Sequence, residues 1–331
     1  RDNSGHRAVL SPYHRECYAD LGLANRPRPV SDATMSLWIV ATLFAASVQA
    51  LRFLLQKRLA MSGLTPAAAT FARFVHAPFV IAAGLAIWLG VSGQTLPAIG
   101  TGFWPYAVAG AISQILATIC VVALFARRNF AVGIAFSKIT VLFTVAAGFI
   151  VLGETVTWAD LLAMGVGLIG VLILSVPVTG GWQVFNRASA LGLASGVFFS
   201  ISAVGYRGAS LLIESDAPVL RAAVTLGLAT LVQAVLLGAW LAARDRAGLI
   251  AVVRRWRATA LIGATSMAGS LGWFTAYTLQ TAAYVNAVGQ VELILSMVIS
   301  WTVLGERFSR RELLAIVLVG VSVIGLVLLQ A

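Results

Sequence analysis

The chain has 331 residues, of which 60% are hydrophobic and 11% charged, with a mean hydropathy of +0.92 and a formal net charge of +11. So few charges cannot cover the surface of a water-soluble domain of this length, which excludes that class. The positive excess does not point to nucleic acid, because the arginines lie in short connections between apolar runs and not on one solvated face.

Residues 1–34 are polar, carry three of the nine prolines and show no helical apolar period. They lack the basic start, apolar run and small-residue cleavage site of a secretory signal. Because residue 1 is Arg and Met35 immediately precedes the first span, we expect this tail to lie upstream of the true start, a disordered tail being the other reading. Ten apolar stretches follow, near 36–55, 67–90, 103–126, 131–152, 158–177, 188–207, 217–242, 259–280, 283–304 and 312–329. Each is long enough to cross a bilayer core of about 30 Å. None alternates with the period of two of a membrane strand, and hydrocarbon demands that backbone groups pair internally, so all are predicted helices. The first, MSLWIVATLFAASVQA, ends like a cleavage site but is followed by Arg52, Lys57 and Arg58 and reads as a retained span. Cys17 and Cys120 suggest neither a disulfide framework nor a metal site, and Cys120 reads as a small packing residue.

One segment occurs twice. Residues 151–163 read VLGETVTWADLLA and residues 303–315 read VLGERFSRRELLA, a constant offset of 152. At that offset Leu152-Gly153-Glu154 fall on Leu304-Gly305-Glu306, and Asp160 on Glu312. Thr157 with Asp160, and Ser309 with Glu312, each have the spacing of a capping box at a helix start. The repeats run over 35–178 and 188–331, joined by a link at 179–187. A duplicated membrane unit points to transport, with the substrate site at the junction of the two copies.

The odd connections carry thirteen lysines and arginines, and the even ones, near 91–102, 153–157, 208–216 and 281–282, carry none. By the positive-inside rule the odd connections are cytoplasmic and both termini face outward. Five spans per repeat, an odd number, make the second copy inverted relative to the first.

With these features the chain resembles the EamA type of the drug/metabolite transporter superfamily. The resemblance rests on two five-span repeats and on Leu152-Gly153-Glu154 and Leu304-Gly305-Glu306, each closing the fourth helix of its repeat before a polar turn and a Gly-containing helix. It implies an all-α integral membrane fold of ten helices in two inverted five-helix repeats around a central cavity. It also implies alternating access and the export or exchange of small metabolites in a cytoplasmic (inner) membrane.

Ionisable groups at bilayer depth usually face a cavity or a partner. Lys138 lies about 15 Å in from one side and Glu292 about 16 Å in from the other, at about 1.5 Å per residue, so both reach the midplane. We expect this pair, with Gln290, to form the substrate or coupling-ion site; the alternative is a structural ion pair between the halves. An enclosed carboxylate also suits proton coupling. Arg52, Arg73, His76 and Arg207 are further candidates, against which stand snorkelling to headgroups and, for His76, an interhelical hydrogen bond. Inward-facing arginines would favour an anionic substrate, amino-acid-like or otherwise carboxylate-bearing. Asn286, Tyr206, Trp273 and Gln114 are candidate cavity-lining residues, and Glu154 and Glu306 read as structural.

These features predict a secondary transporter, monomeric or homodimeric, whose partners are a small metabolite and the lipid bilayer. No cofactor, metal or nucleic acid is expected. Rival readings are a membrane-embedded lipid-modifying enzyme, disfavoured by the lack of an HExxH or aspartate-rich motif, and a non-transporting scaffold or channel.

Overall fold

The computed structural model describes residues 32–61, 63–93, 95–125, 139–175, 187–295 and 310–330. Lys138, Ser309 and the second copy, Leu304-Gly305-Glu306, lie outside the described residues, as does the side chain of Glu312. The chain forms α1 (Asp32–Met61), α2 (Pro66–Phe74), α3 (Ala77–Ser92), α4 (Phe103–Phe125), α5 (Thr140–Leu152) and α6 (Trp158–Ser175). It continues with α7 (Arg187–Leu211), α8 (Pro218–Arg244), α9 (Arg246–Arg254), α10 (Trp256–Leu279), α11 (Ala282–Val288) and α12 (Arg310–Gln330). Among the described residues there is no strand, only an isolated bridge between Ile99 and Ile213.

Four segments are long and apolar enough to cross a membrane: Pro66–Ser92, Phe103–Leu124, Ala190–Leu211 and Pro218–Arg244. Shorter apolar helices accompany them, including Thr140–Leu152 and Leu313–Leu329. The outward surface is apolar, with Phe79, Ile150, Trp158 and Leu328 exposed, whereas Arg52, Arg73, Gln233, Gln290 and Glu292 are buried. This reverses the arrangement of a soluble protein and suits a lipid surround.

The predicted span 67–90 is interrupted. α2 ends at Phe74 and α3 begins at Ala77, leaving Val75 and His76 between the two helices with their backbone still in the right-handed helical region. Pro78 has no N–H for the Phe74 carbonyl and its ring crowds that turn, which accounts for the break. A second irregularity follows α11. There Gln290 N–H bonds to Ala287 C=O, and Glu292 N–H to Gly289 C=O, three residues back instead of four.

The helices pack mainly as pairs: α4 along α7, α6 along α12, and α1 along α10. The ends of the bundle are tied by their connections. Thr65, before α2, donates its hydroxyl to Asp245 Oδ2 at 2.7 Å. Asp245 also accepts from Gly248 N–H at 2.9 Å, capping α9, a short helix the sequence did not reveal. The Thr65 hydroxyl, and after it the Gly248 N–H, hold the Asp245 carboxyl below the usual carboxylate range. At the other end of α8, about 40 Å away at 1.5 Å per residue, Gly100 N–H donates to Leu212 C=O at 2.8 Å and Glu214 N–H to Ala98 C=O at 3.0 Å. The arginine-rich connection 243–258 is thus gathered with one odd connection, and two arginine-free even connections meet at the far end.

The α6–α12 seam depends on a missing side chain. A Cβ at Gly170 would lie 2.9 Å from both the Ala315 carbonyl oxygen and Leu318 Cβ, whereas one at Gly165 would meet nothing within 4 Å. Gly170→Val is therefore expected to destabilise the fold by about 1–3 kcal/mol through overpacking. Thermal unfolding of detergent-purified protein should show a lowered midpoint for Gly170→Val and none for Gly165→Ala.

Candidate functional site

Arg73 occupies the last turn of α2, two residues before the break, and is buried. A guanidinium has five N–H donors, and here each has an acceptor. Nε donates to Ser266 Oγ at 2.8 Å, Nη1 to Thr118 Oγ1 at 3.0 Å, and Nη2 to Ser270 Oγ at 3.3 Å. The Gln114 carboxamide oxygen accepts from both Nη atoms at 3.0 Å while its nitrogen donates to Ser202 Oγ at 2.5 Å. Every acceptor is neutral, and among the described residues no carboxylate lies within ion-pair distance of Arg73. The acceptors come from α4 and α10, where Gln114 and Thr118, and likewise Ser266 and Ser270, stand four residues apart on one helix face. Beside the guanidinium is a cavity of about 20 Å³, whose lining includes Gln114, Tyr206, Gln233, Ser266, Ser270 and Phe274. Tyr206 stacks on Phe274 with ring centroids 4.2 Å apart, and its hydroxyl accepts from Gln233 Nε2 at 2.8 Å.

A second buried group surrounds Glu292. Gln49 Nε2 donates to Glu292 Oε2 at 2.9 Å, and Gln49 Oε1 accepts from Arg52 Nη2 and from Trp273 Nε1, each at 3.1 Å. One carboxamide thus links an arginine and a glutamate from α1 and the segment after α11. Trp273 also stacks on Tyr277, whose hydroxyl donates to Asn286 Oδ1 at 2.8 Å, and Asn286 Nδ2 donates to Thr144 Oγ1 at 2.9 Å. Gln290 is 4% exposed, and its Oε1 has no hydrogen-bond partner among the described residues.

The remaining candidates stand apart. His76 precedes the first turn of α3 and shares a 3.2 Å hydrogen bond with the Thr259 hydroxyl, the interhelical bond that competes with a ligand role. Arg207 pairs through Nε with Glu154 Oε1. Its Nη1 donates to the carbonyls of Tyr277 at 2.7 Å and Gln280 at 2.6 Å, tying α7 to the end of α10. This explains the first Leu-Gly-Glu physically. Leu152 is buried, Gly153 takes the left-handed φ of +64° that ends α5, and Glu154 is delivered to Arg207. Thr157 and Asp160 form the expected capping box, with Thr157 N–H donating to Asp160 Oδ2 at 3.0 Å and Asp160 N–H to Thr157 Oγ1 at 3.2 Å. Tyr284 donates to the same carboxylate oxygen.

The structure therefore brings Arg73, Gln114 and Tyr206 to one cavity and Arg52, Trp273 and Glu292 to one carboxamide. Gln49, Gln233, Ser266 and Ser270 were not singled out from sequence. Gln49 did leave a signal, lying three residues before Arg52 on the same face of α1. The serines left none, since isolated hydroxyls are common packing groups in membrane helices.

Residues 186–328, spanning α7 to almost the end of α12, match the family model of the EamA-like transporter family. That family is part of the drug/metabolite transporter superfamily. The match and the apolar helices together support a multi-pass membrane protein. No curated protein matches the chain. A solved crystal structure, described only as that of a protein, is similar with a TM-score of 0.67 and 17% identity, over 90% of this chain and 98% of its own. At that identity the likeness shows the fold alone.

Breaking the Glu154–Arg207 pair leaves one charge without its partner in a largely dry setting. In a cycle of Glu154→Ala, Arg207→Ala and the double variant, we expect a coupling of about 1–3 kcal/mol, measured by reversible denaturation in detergent. Additive effects would mean that the ion pair contributes nothing to stability.

Proposed function

We propose that this chain, an EamA-like transporter over residues 186–328, is a secondary transporter that exports a small metabolite across the cytoplasmic membrane by alternating access. The observation that carries this reading is where the buried charges sit. Arg73 lies at the α2–α3 break, and Glu292 directly follows the irregular turn at Gly289 and Gln290. Interrupted spanning helices with polar groups at their ends are how secondary transporters build substrate and ion sites between repeats.

The packing supports two inverted five-helix repeats, 35–178 and 188–331, joined by 179–187. Exchanging the halves maps the contact of α4 with α7 onto that of α10 with α1, and α5 with α7 onto α11 with α1. It maps α2 with α10 onto α8 with α4, while α6 with α12 maps onto itself. The gathering of arginine-bearing connections at one end supports a cytoplasmic location for that end and outward-facing termini. In this reading Glu292 carries the coupling proton, with Lys138, a midplane charge by sequence depth, as its counterpart. Gln49 relays the state of Glu292 to Arg52 through the two hydrogen bonds of its carboxamide.

The test is paired profiling of intracellular and extracellular metabolites in cells expressing the chain, with equally expressed Glu292→Gln and Lys138→Ala variants. One solute class should move outward with the natural sequence and much less with either variant. In proteoliposomes loaded with that solute, an imposed pH gradient should drive efflux for the natural sequence and not for Glu292→Gln. Efflux indifferent to the gradient would discard proton coupling, and no movement of any solute would discard the transporter reading.

A further inference from the structure

We propose that the cavity beside Arg73 is a receptor for one carboxylate group, and that the exported solute is a small monocarboxylate with a compact apolar side, an inference that rests on the transporter reading above. Arg73 is a positive charge in the bundle interior without a counter-ion among the described residues. All five N–H donors of Arg73 end on the oxygens of Ser266, Thr118, Ser270 and Gln114, none of which carries charge. Hydroxyls and amides satisfy the geometry of a guanidinium but leave its charge uncompensated, a costly state away from water. A carboxylate supplies both the charge and two parallel acceptors that match the guanidinium fork.

The edge on which such a fork would dock is the least firmly held. Nη2 reaches Ser270 at 3.3 Å, the longest of the set, and both Nη atoms share the single Gln114 oxygen. These two neutral groups occupy the positions that two carboxylate oxygens would take. The cavity of about 20 Å³ holds roughly one water, so a bound carboxylate would have to displace the neighbouring side chains. The cavity lies beside the α2–α3 break, where the chain can adjust, and Ala77, the first residue of α3, lines it.

The walls define the rest of the solute. The lining also includes Phe74, Leu226, Met267 and Phe274, apolar groups that include one adaptable thioether. Among the described residues Arg73 is the one cation that lines the cavity; Arg52 is engaged by Gln49 and is not part of the lining. One guanidinium balances one negative charge. The site therefore favours a monocarboxylate over a dicarboxylate or a phosphate dianion, and rejects an amine of the same shape.

The test is binding to the purified full chain in detergent, read by thermal unfolding with isovalerate, succinate, inorganic phosphate or isoamylammonium as probe. Isovalerate should raise the unfolding midpoint saturably, with succinate and phosphate weaker and isoamylammonium without effect. Arg73→Gln should weaken isovalerate binding by about 10- to 100-fold, the loss of charge-assisted hydrogen bonds. Arg73→Lys, which keeps the charge and loses the fork, should weaken it by about 10-fold. Ser270→Ala removes a competitor for Nη2 and leaves Arg73 in place, so it should bind isovalerate at least as tightly as the natural sequence. Should Arg73→Gln fail to fold, Arg73→Lys and Ser270→Ala decide the matter.

The proposal is overturned if isovalerate leaves the natural sequence unchanged, if it acts equally on the Arg73 variants, or if phosphate is preferred. Export of another solute class in the metabolite profiles, with no isovalerate binding, would overturn this receptor and leave the transporter reading standing. Saturable, Arg73-dependent isovalerate binding without any solute movement would uphold the receptor and overturn transport.

Discussion

A charge in the interior of a membrane helix bundle has no water to fall back on, and its partners must come from other helices. The architecture of this protein follows from meeting that demand for a few side chains. Arg73 of α2 draws hydroxyls and an amide from α4 and α10. Glu292 and Arg52 share the carboxamide of Gln49. Arg207 collects Glu154 and two carbonyls at the end of α10. Each of these groups fixes the relative position of helices that are distant in sequence, since leaving such a donor or acceptor unmet is costly in hydrocarbon.

The distribution of side chains around each helix follows from the same demand. α10 is long, yet much of its buried surface is serine, threonine and glycine. Small residues let α1 approach it closely, and its hydroxyls serve as acceptors for Arg73. Where the helices break, at Val75–His76 and at Gly289–Gln290, the neighbouring charges Arg73 and Glu292 are buried within the protein. The Glu154–Arg207 pair plays a different part: it uses the end of α5 to anchor α7, and it belongs to the scaffold of the bundle rather than to its cavity.

Several of the buried polar residues were legible before the fold was known, though not their grouping. Depth alone marked Arg73 and Glu292, because an ionisable residue far inside an apolar run needs an explanation wherever it occurs. Depth also marked His76 and Arg207, whose hydrogen bonds place them outside the two central groups. Gln49 and Ser270 were not marked, since uncharged polar residues are frequent in such helices. The α2–α3 break was foreseeable from Pro78 in principle, but a proline within a hydrophobic run is also tolerated in continuous membrane helices. The short helix α9 lay hidden in a charged connection, where its cap, Asp245, looks like any loop aspartate.

What the amino-acid sequence determined by itself is what local chemistry determines. Apolar runs of sufficient length made this a helical membrane protein. The alternation of basic and non-basic connections assigned loops to two sides, and the repeated Leu-Gly-Glu pointed to duplicated units. Each of these is a property of a few consecutive residues or of a fixed offset along the chain. The tertiary structure alone decided that Arg73 meets Ser266 across 193 positions and that Gln49 meets Glu292 across 243. Such partners are chosen by how helices rotate and cross when they pack. That choice depends on the small-residue seams and buried donors of all the helices at once, and no single segment encodes it.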